Sequence, residues 1–243
     1  MSEASDRMIL IEGLDLTGKS TLCQGLLPRI GELGLTAYVS HNKLSGENSI
    51  GRRAEELAMG ALATKSEIQN LFFESHVHDA VHFNELENDV VHIQDSSWLR
   101  TVSYNIMTGT PLKQEQVNHL FKLHPSFGTV IYLASDLDTK IDRLLLREAE
   151  DPRMNSWGDK LCKTNPDFVV QHDKLLEEIT HEFYPHVDYI DTTEMNKNDM
   201  IEASLAIIEP NLPVSIDLSE NSSEYKLLQQ TELINLRQNA SGG

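Results

Sequence analysis

Met8-Ile9-Leu10-Ile11-Glu12-Gly13-Leu14-Asp15-Leu16-Thr17-Gly18-Lys19-Ser20-Thr21 contains one continuous G-x-x-x-x-G-K-[ST] octet, from Gly13 to Ser20. Its flanks supply the context such an octet requires. Met8 to Ile11 is a short apolar run that suits a buried strand. From Thr21 to Leu35 apolar residues return at helical spacing, at Leu22, Leu26, Leu27, Ile30 and Leu33. A strand, a glycine-rich turn and a helix start aim backbone N–H groups and the positive helix end at a polyphosphate. Gly13 and Gly18 let the backbone come close, with Leu14, Asp15, Leu16 and Thr17 between them and Thr21 just behind. Lys19 is placed to reach the β- and γ-phosphates, and the Ser20 hydroxyl to hold Mg²⁺. The octet implies a nucleoside triphosphate ligand, with ATP and Mg²⁺ as the expected pair.

Beyond this unit, strand-like and helix-like stretches alternate. Thr36 to Val39 reads as a second strand, followed by a polar loop from His41 to Ser49. Arg52 to Met59 and Glu67 to Leu86 read as helices, and Asp89 to Ile93 as a third strand. Thr129 to Ala134 is the clearest strand of the chain. Leu137 to Glu150 follows as a charged amphipathic helix, Val187 to Ile190 as a fifth strand, and Lys197 to Ile208 as a last helix. Repeated strand–helix units imply an α/β fold, a five-stranded parallel sheet with helices on both faces. We expect residues 1–209 to form this domain and residues 210–243 an extension. In that extension Glu224 to Arg237 has an apolar helical face, and Asn239 to Gly243 reads as disordered.

The 243 residues carry 38 acidic and 20 basic side chains, a formal charge of −18. No basic stripe is present to displace counterions from a nucleic-acid backbone or to meet an anionic membrane, so neither is an expected partner. No run of apolar residues reaches the length of a membrane span, and the first residues lack the basic and apolar regions of a secretory signal. Two cysteines far apart, Cys23 and Cys162, suit a reduced, cytoplasmic setting.

A phosphate loop alone does not separate kinases from switches or ATP-driven machines; the other charged residues decide. Moving a γ-phosphoryl group needs cations around the transferring oxygens. Arg143 and Arg147 are four apart on one helix face, and Arg153 follows in a stretch containing Pro152, Asn155, Ser156 and Gly158. This region, about 143–160, reads as a basic lid. An ordinary solvated helix face, paired to Asp142, Glu148 and Glu150, is the alternative.

Together these residues resemble thymidylate kinases and their nucleotide-kinase relatives, over about Met8 to Ile208. The phosphate loop is similar, including the acidic residue at its third position, Asp15. That family ends its third strand on Asp-Arg-Tyr and has Ala-Tyr-Gln some nine residues later. Here Asp95 ends Val90-Val91-His92-Ile93-Gln94, and Ser103-Tyr104-Asn105 stands at the same offset. The preceding helix matches through Leu71-Phe72-Phe73-Glu74-Ser75-His76-Val77, and the basic lid through Arg143, Arg147 and Arg153. The resemblance implies acceptor contacts from Arg52 or Arg53, Phe73, His76, Arg100, Tyr104 and Asn105, and a homodimer. Ser96 and Ser97 depart from it, standing where the family has Arg and Tyr. Arg100 lies five residues after Asp95, where the family usually has a small residue; it either restores the missing cation or marks a different acceptor. His41-Asn42-Lys43 replaces the family's Arg-Glu-Pro.

The roles that follow are specific. Lys19 and the loop hold the donor, with Arg143 beside them, and Ser20 and Asp95 serve the metal. Asp95 orients or deprotonates the acceptor, or caps the following helix. Asp15 projects towards the acceptor, and Arg147 and Arg153 neutralise charge on the transferring group. Expected activity is γ-phosphoryl transfer to a nucleoside monophosphate or nucleoside-like acceptor. A kinase of another small metabolite, or a nucleotide-binding regulator, stands as the alternative. Asn196-Lys197-Asn198-Asp199 formally fits a guanine-reading motif but lacks the strand that should end at it. His76, His78 and His82 cluster at spacings open to a metal or to plain surface roles.

Overall fold

A computed structural model describes residues 5–42, 44, 48–60, 64–83, 90–150 and 157–212. Arg153, Lys43, the rest of the 151–156 segment and everything beyond Leu212 lie outside the described residues. By contacts the chain divides into two units, Met1–Pro213 and Val214–Gly243. The first contains every described element.

Five strands, β1 (Met8–Glu12), β2 (Thr36–His41), β3 (Val90–Asp95), β4 (Thr129–Ala134) and β5 (Asp188–Asp191), form one sheet in the order β2-β3-β1-β4-β5. Every pairing is parallel. Nine helices among the described residues join them. These are α1 (Lys19–Glu32), α2 (Ser49–Gly60), α3 (Lys65–His82), α4 (Trp98–Met107), α5 (Gln114–Leu123), α6 (Leu137–Glu150), α7 (Trp157–Thr164), α8 (Pro166–Phe183) and α9 (Lys197–Ile208).

Alternation along the strands sorts the two cores. Ile9, Ile11, Ile93, Ile131 and Leu133 face Leu22, Leu26 and Ile30 of α1 and Met200, Ile201 and Leu205 of α9. Met8, Leu10, Val130 and Tyr132 face Trp98 and Leu99 of α4, Leu120 of α5, and Leu176 and Ile179 of α8. All five residues of β1 are buried because both faces are covered, whereas β5, at an edge, buries only Ile190. The last described core residue is Leu212, after a 3₁₀ turn at Glu209–Asn211.

The expected strands are all present, with β2 and β3 each running two residues further than the apolar runs suggest. Those extra residues, Ser40, His41, Gln94 and Asp95, are polar because they lead into the site. Three helices, α5, α7 and α8, are absent from the sequence reading, and α4 enters it only as a helix of unstated range after Asp95. The expected α1 starts earlier, at Lys19, since the phosphate loop itself turns into the helix.

Candidate active site

The sheet order reverses at β1: the chain leaves to one side for β2 and β3 and to the other for β4 and β5. Ligands of open parallel sheets bind at the carboxyl ends of strands at such a point. Residues 13–18 emerge there. Gly13 has φ +136°, and a Cβ on it would lie 2.3 Å from the Leu133 carbonyl oxygen, so only glycine lets the loop leave β1 against the end of β4. Gly18 has φ +99°. Leu16, with φ +68°, holds a left-handed conformation that costs a non-glycine residue on the order of 1–3 kcal/mol. Burial of Leu14 and Leu16 in the α4/α8-side core helps to offset it.

Lys19 and Thr17 both fold their side chains onto the Leu14 carbonyl, Thr17 Oγ1 donating at 2.9 Å. Burial, followed by the nearby Arg100, lowers the Lys19 pKa against the pull of Asp15, Asp95 and Glu12. The Ser20 hydroxyl donates to Asp95 Oδ2 at 2.8 Å, and His41 Nδ1 lies 3.0 Å from the same oxygen. Two hard oxygens, one of them a carboxylate at a strand end, are the donor set Mg²⁺ takes, with water and phosphate oxygens completing it. Ser20 and Asp95 therefore fit the metal. Ser97, not Asp95, caps α4, accepting from the Leu99 N–H.

Glu12, at the end of β1, is fully buried. Its Oε1 accepts from the Gly13 N–H at 3.1 Å and its Oε2 from the Ser97 N–H and Oγ at 3.0 and 2.8 Å. Burial raises its pKa, opposed by Lys19 and by these hydrogen bonds. Asp15 and Arg100 form an ion pair across the mouth of the site, their side chains 26% and 28% exposed. For Asp15, burial works upward, yet Arg100 and Lys19 together hold the carboxyl below its ordinary value, with Arg147 adding a smaller push. Arg100 is raised by Asp15 in spite of burial.

The two described arginines of the expected lid divide. Arg147 reaches Asp159 Oδ2 of α7 at 3.1 Å, bridging the two sides of the 151–156 segment. Arg143 donates through Nη1 to the Leu16 carbonyl (2.8 Å) and to Thr192 Oγ1 (3.1 Å), and through Nη2 to the Thr192 carbonyl (2.7 Å).

The expected acceptor residues are more dispersed. Arg100 and Asp15 meet at the loop. Tyr104 stands beside Phe168 and His172, with ring centroids 6.3 and 6.0 Å away, and His172 Nε2 is 2.9 Å from Ser103 Oγ. Phe73 packs against the core, and His76 bonds to Thr101 Oγ1 at 2.8 Å between α3 and α4. Asn105 is buried, with Nδ2 finding no partner among the described residues, and Arg52 is exposed on α2. Ser96, where the resembling family has arginine, has φ +65° and a buried hydroxyl without a partner among the described residues.

Sequence reasoning missed His41, Ser97, Thr192 and Asp159 as site residues. His41 carried a signal, since it replaces a charged motif at a strand end; Thr192 carried none. His78 and His82 stack at 4.0 Å, and no group of three ligating side chains suited to a metal occurs among the described residues. The Asn196 side chain caps α9, accepting from the N–H groups of Asn198 and Asp199, which accounts for the motif there.

The fold and this loop define a phosphate-loop α/β protein of thymidylate-kinase-like architecture. Thymidylate kinase from Candida albicans superimposes with TM-score 0.59 and 19% identity, over 84% of this chain and 91% of that one. Thymidylate kinase from Ehrlichia chaffeensis gives TM-score 0.58 and 15% identity, over 83% and 97%. No protein-family model matches the sequence, and no curated protein matches it.

Proposed function

We propose that this chain is a Mg²⁺-dependent kinase that transfers the γ-phosphoryl group of ATP to a nucleoside monophosphate or nucleoside-like acceptor. The observation that carries the proposal is the convergence of three units at the adjacent carboxyl ends of β1 and β3. These are the 13–20 phosphate loop, the Ser20–Asp95 pair and the Asp15–Arg100 ion pair. The thymidylate-kinase-like fold supports the reaction type. In this reading the loop N–H groups and Lys19 bind the donor phosphates. Lys19 leaves the Leu14 carbonyl to do so. Ser20 and Asp95 hold the metal, which neutralises charge on the transferring oxygens when bound. Arg100 faces an acceptor anion, and Arg147 and Arg153 gather charge as the group moves. The 143–160 region acts as a lid over the site.

A second reading, a kinase of another small metabolite, is favoured by the acceptor side alone. Ser96, Ser97 and His41 stand where the resembling family places other residues. One experiment separates the readings: the purified protein with Mg²⁺ and ATP, screened by mass spectrometry against nucleoside monophosphates, deoxynucleosides and a pool of cell metabolites. A phosphorylated nucleotide or nucleoside supports the first reading, and turnover only with another acceptor supports the second. Tight ATP binding without any acceptor would instead favour a regulatory protein. Lys19→Ala abolishes transfer under either kinase reading; normal turnover in that variant removes the donor-site assignment.

A further inference from the structure

Arg143 lies on the helix expected to supply lid cations, yet its guanidinium is engaged with backbone. Three of its five N–H donors go to Leu16 O, Thr192 Oγ1 and Thr192 O. Thr192 is fully buried, and its hydroxyl lies 2.9 Å from Thr17 O and 3.0 Å from Ala134 O, either of which can accept its one proton. Its N–H donates to Ala134 O at 2.8 Å. The network thus joins the loop after β1, the last residue of β4 and the residue after β5.

What it grips is the part of the phosphate loop least able to hold itself. Leu16 has a left-handed backbone without being glycine, and neighbouring Gly18 has φ +99°. Loop N–H groups can converge on a phosphate only while this shape persists. Fixing it before the ligand arrives removes an ordering cost from binding.

We infer that Arg143 and Thr192 are positioning residues, a brace that holds the 13–18 loop in its phosphate-binding shape, and that Arg143 acts through the loop rather than as a phosphate ligand. The inference rests on the reading of this loop as a triphosphate site. Its chemistry makes Lys an informative substitution. An ammonium serves a phosphate as a point charge, but it cannot span two carbonyls and a hydroxyl as the planar guanidinium does.

The test uses the full chain with Arg143→Lys, Arg143→Ala, Thr192→Val and the Arg143→Lys/Thr192→Val double variant. Backbone ¹⁵N relaxation without nucleotide is read at Leu16, Thr17 and Gly18. The wild type should show rigid order parameters near about 0.85, and both Arg143→Lys and Thr192→Val should fall to about 0.6 or below there, with β1 and β3 unchanged. Calorimetric ATP binding should weaken about 10-fold or more in Arg143→Lys, as much as in Arg143→Ala. Adding Thr192→Val to Arg143→Lys should cost less than a further twofold, because both residues serve one network. Unchanged loop order in both single variants overturns the brace. So does Arg143→Lys binding ATP within threefold of wild type while Arg143→Ala loses it, which is the signature of a direct charge contact. If wild-type protein binds no ATP, the functional reading fails and the order parameters alone decide the brace.

Discussion

In the proposed kinase, Arg100 is the residue on which the acceptor side turns. It sits on the first turn of α4, half-buried, and its closest charge is Asp15 of the phosphate loop. Replacing it with Met keeps most of its volume and removes the charge, leaving Asp15 with only Lys19 and the more distant Arg147. For a pair of this exposure we expect a stability loss on the order of 1–2 kcal/mol, smaller than for a fully buried pair. The sign with pH is fixed by the direction of the shift. The depressed Asp15 carboxyl stabilises the fold above its unfolded value of 3.8 and loses that contribution as pH falls towards the native value. Arg100→Met should therefore narrow the stability difference from wild type in acid. In steady-state kinetics it should raise the acceptor KM about 10-fold or more while ATP affinity moves less than threefold. An unchanged acceptor KM would remove Arg100 from the acceptor site. The octet made the loop half of this site legible in sequence, since the spacing of Gly13, Gly18, Lys19 and Ser20 is local. Arg100 could be singled out only by its offset from Asp95. Thr192 reaches the loop across 175 residues of chain, and nothing in sequence brings it there.

At the scale of elements, the close approach of α1 and α9 fixes how the phosphate loop is carried. Gly25 of α1 faces Ile201 of α9: a Cβ built on it lies 2.3 Å from Ile201 Cδ1 and 2.9 Å from Cγ1. Alanine gains about 1 kcal/mol of helix propensity there, whereas overpacking a filled interface costs about 1–3 kcal/mol. The overpacking wins because Cγ1 as well as the terminal Cδ1 of Ile201 stands in the way, so turning the end of that buried side chain alone does not clear the methyl. Gly25→Ala should lower unfolding free energy in urea by about 1 kcal/mol, and Ile201→Ala by about 2–4 kcal/mol. The double variant should be less destabilised than the sum, since the new methyl occupies the space that Ile201 vacates. Strict additivity would show that the helices simply move apart. The same interface explains what sequence could and could not give. Leu22, Leu26 and Ile30 repeat at helical spacing, so α1 is legible from its own residues. The α4, α5 and α8 layer mixes its apolar positions with buried polar ones. Ser103, Asn105 and His172 all point inward, and a pattern read for apolar periodicity alone passes over them.

Across the whole molecule, three histidines share one condition. His92 on β3, His124 at the end of α5 and His172 on α8 are each pushed down to about 4 from 6.5, burial being the main cause in every case. Arg100 adds to the shift at His172, while Asp173 and Asp15 oppose it. His92 is packed between Tyr38 and Phe83, with Ser40 at its Nε2. His124 lies against His76 and Trp98. Between pH 6.5 and about 4 the unfolded chain binds these protons and the native one does not. Stability therefore rises with pH through that window and is lost as pH falls through it, by on the order of 3 kcal/mol per histidine. Three such losses are comparable with the whole stability of a domain, about 5–15 kcal/mol. Glu12 works in the opposite sense, because its raised carboxyl keeps a proton in the native state above 4.5. It subtracts at most one proton from the slope, so the histidines prevail. Chemical denaturation from pH 7 to pH 4.5 should show unfolding free energy falling most steeply below pH 6. His172→Gln, which keeps a polar partner for Ser103, should reduce that slope by about one proton, and His92→Gln by another. A free energy that stays flat from pH 6.5 to 5, or variants that leave the slope unchanged, would mean that these rings admit protons without unfolding. Acid sensitivity would then have to come from carboxyls held below their ordinary values, such as Asp15, whose window begins only below 3.8.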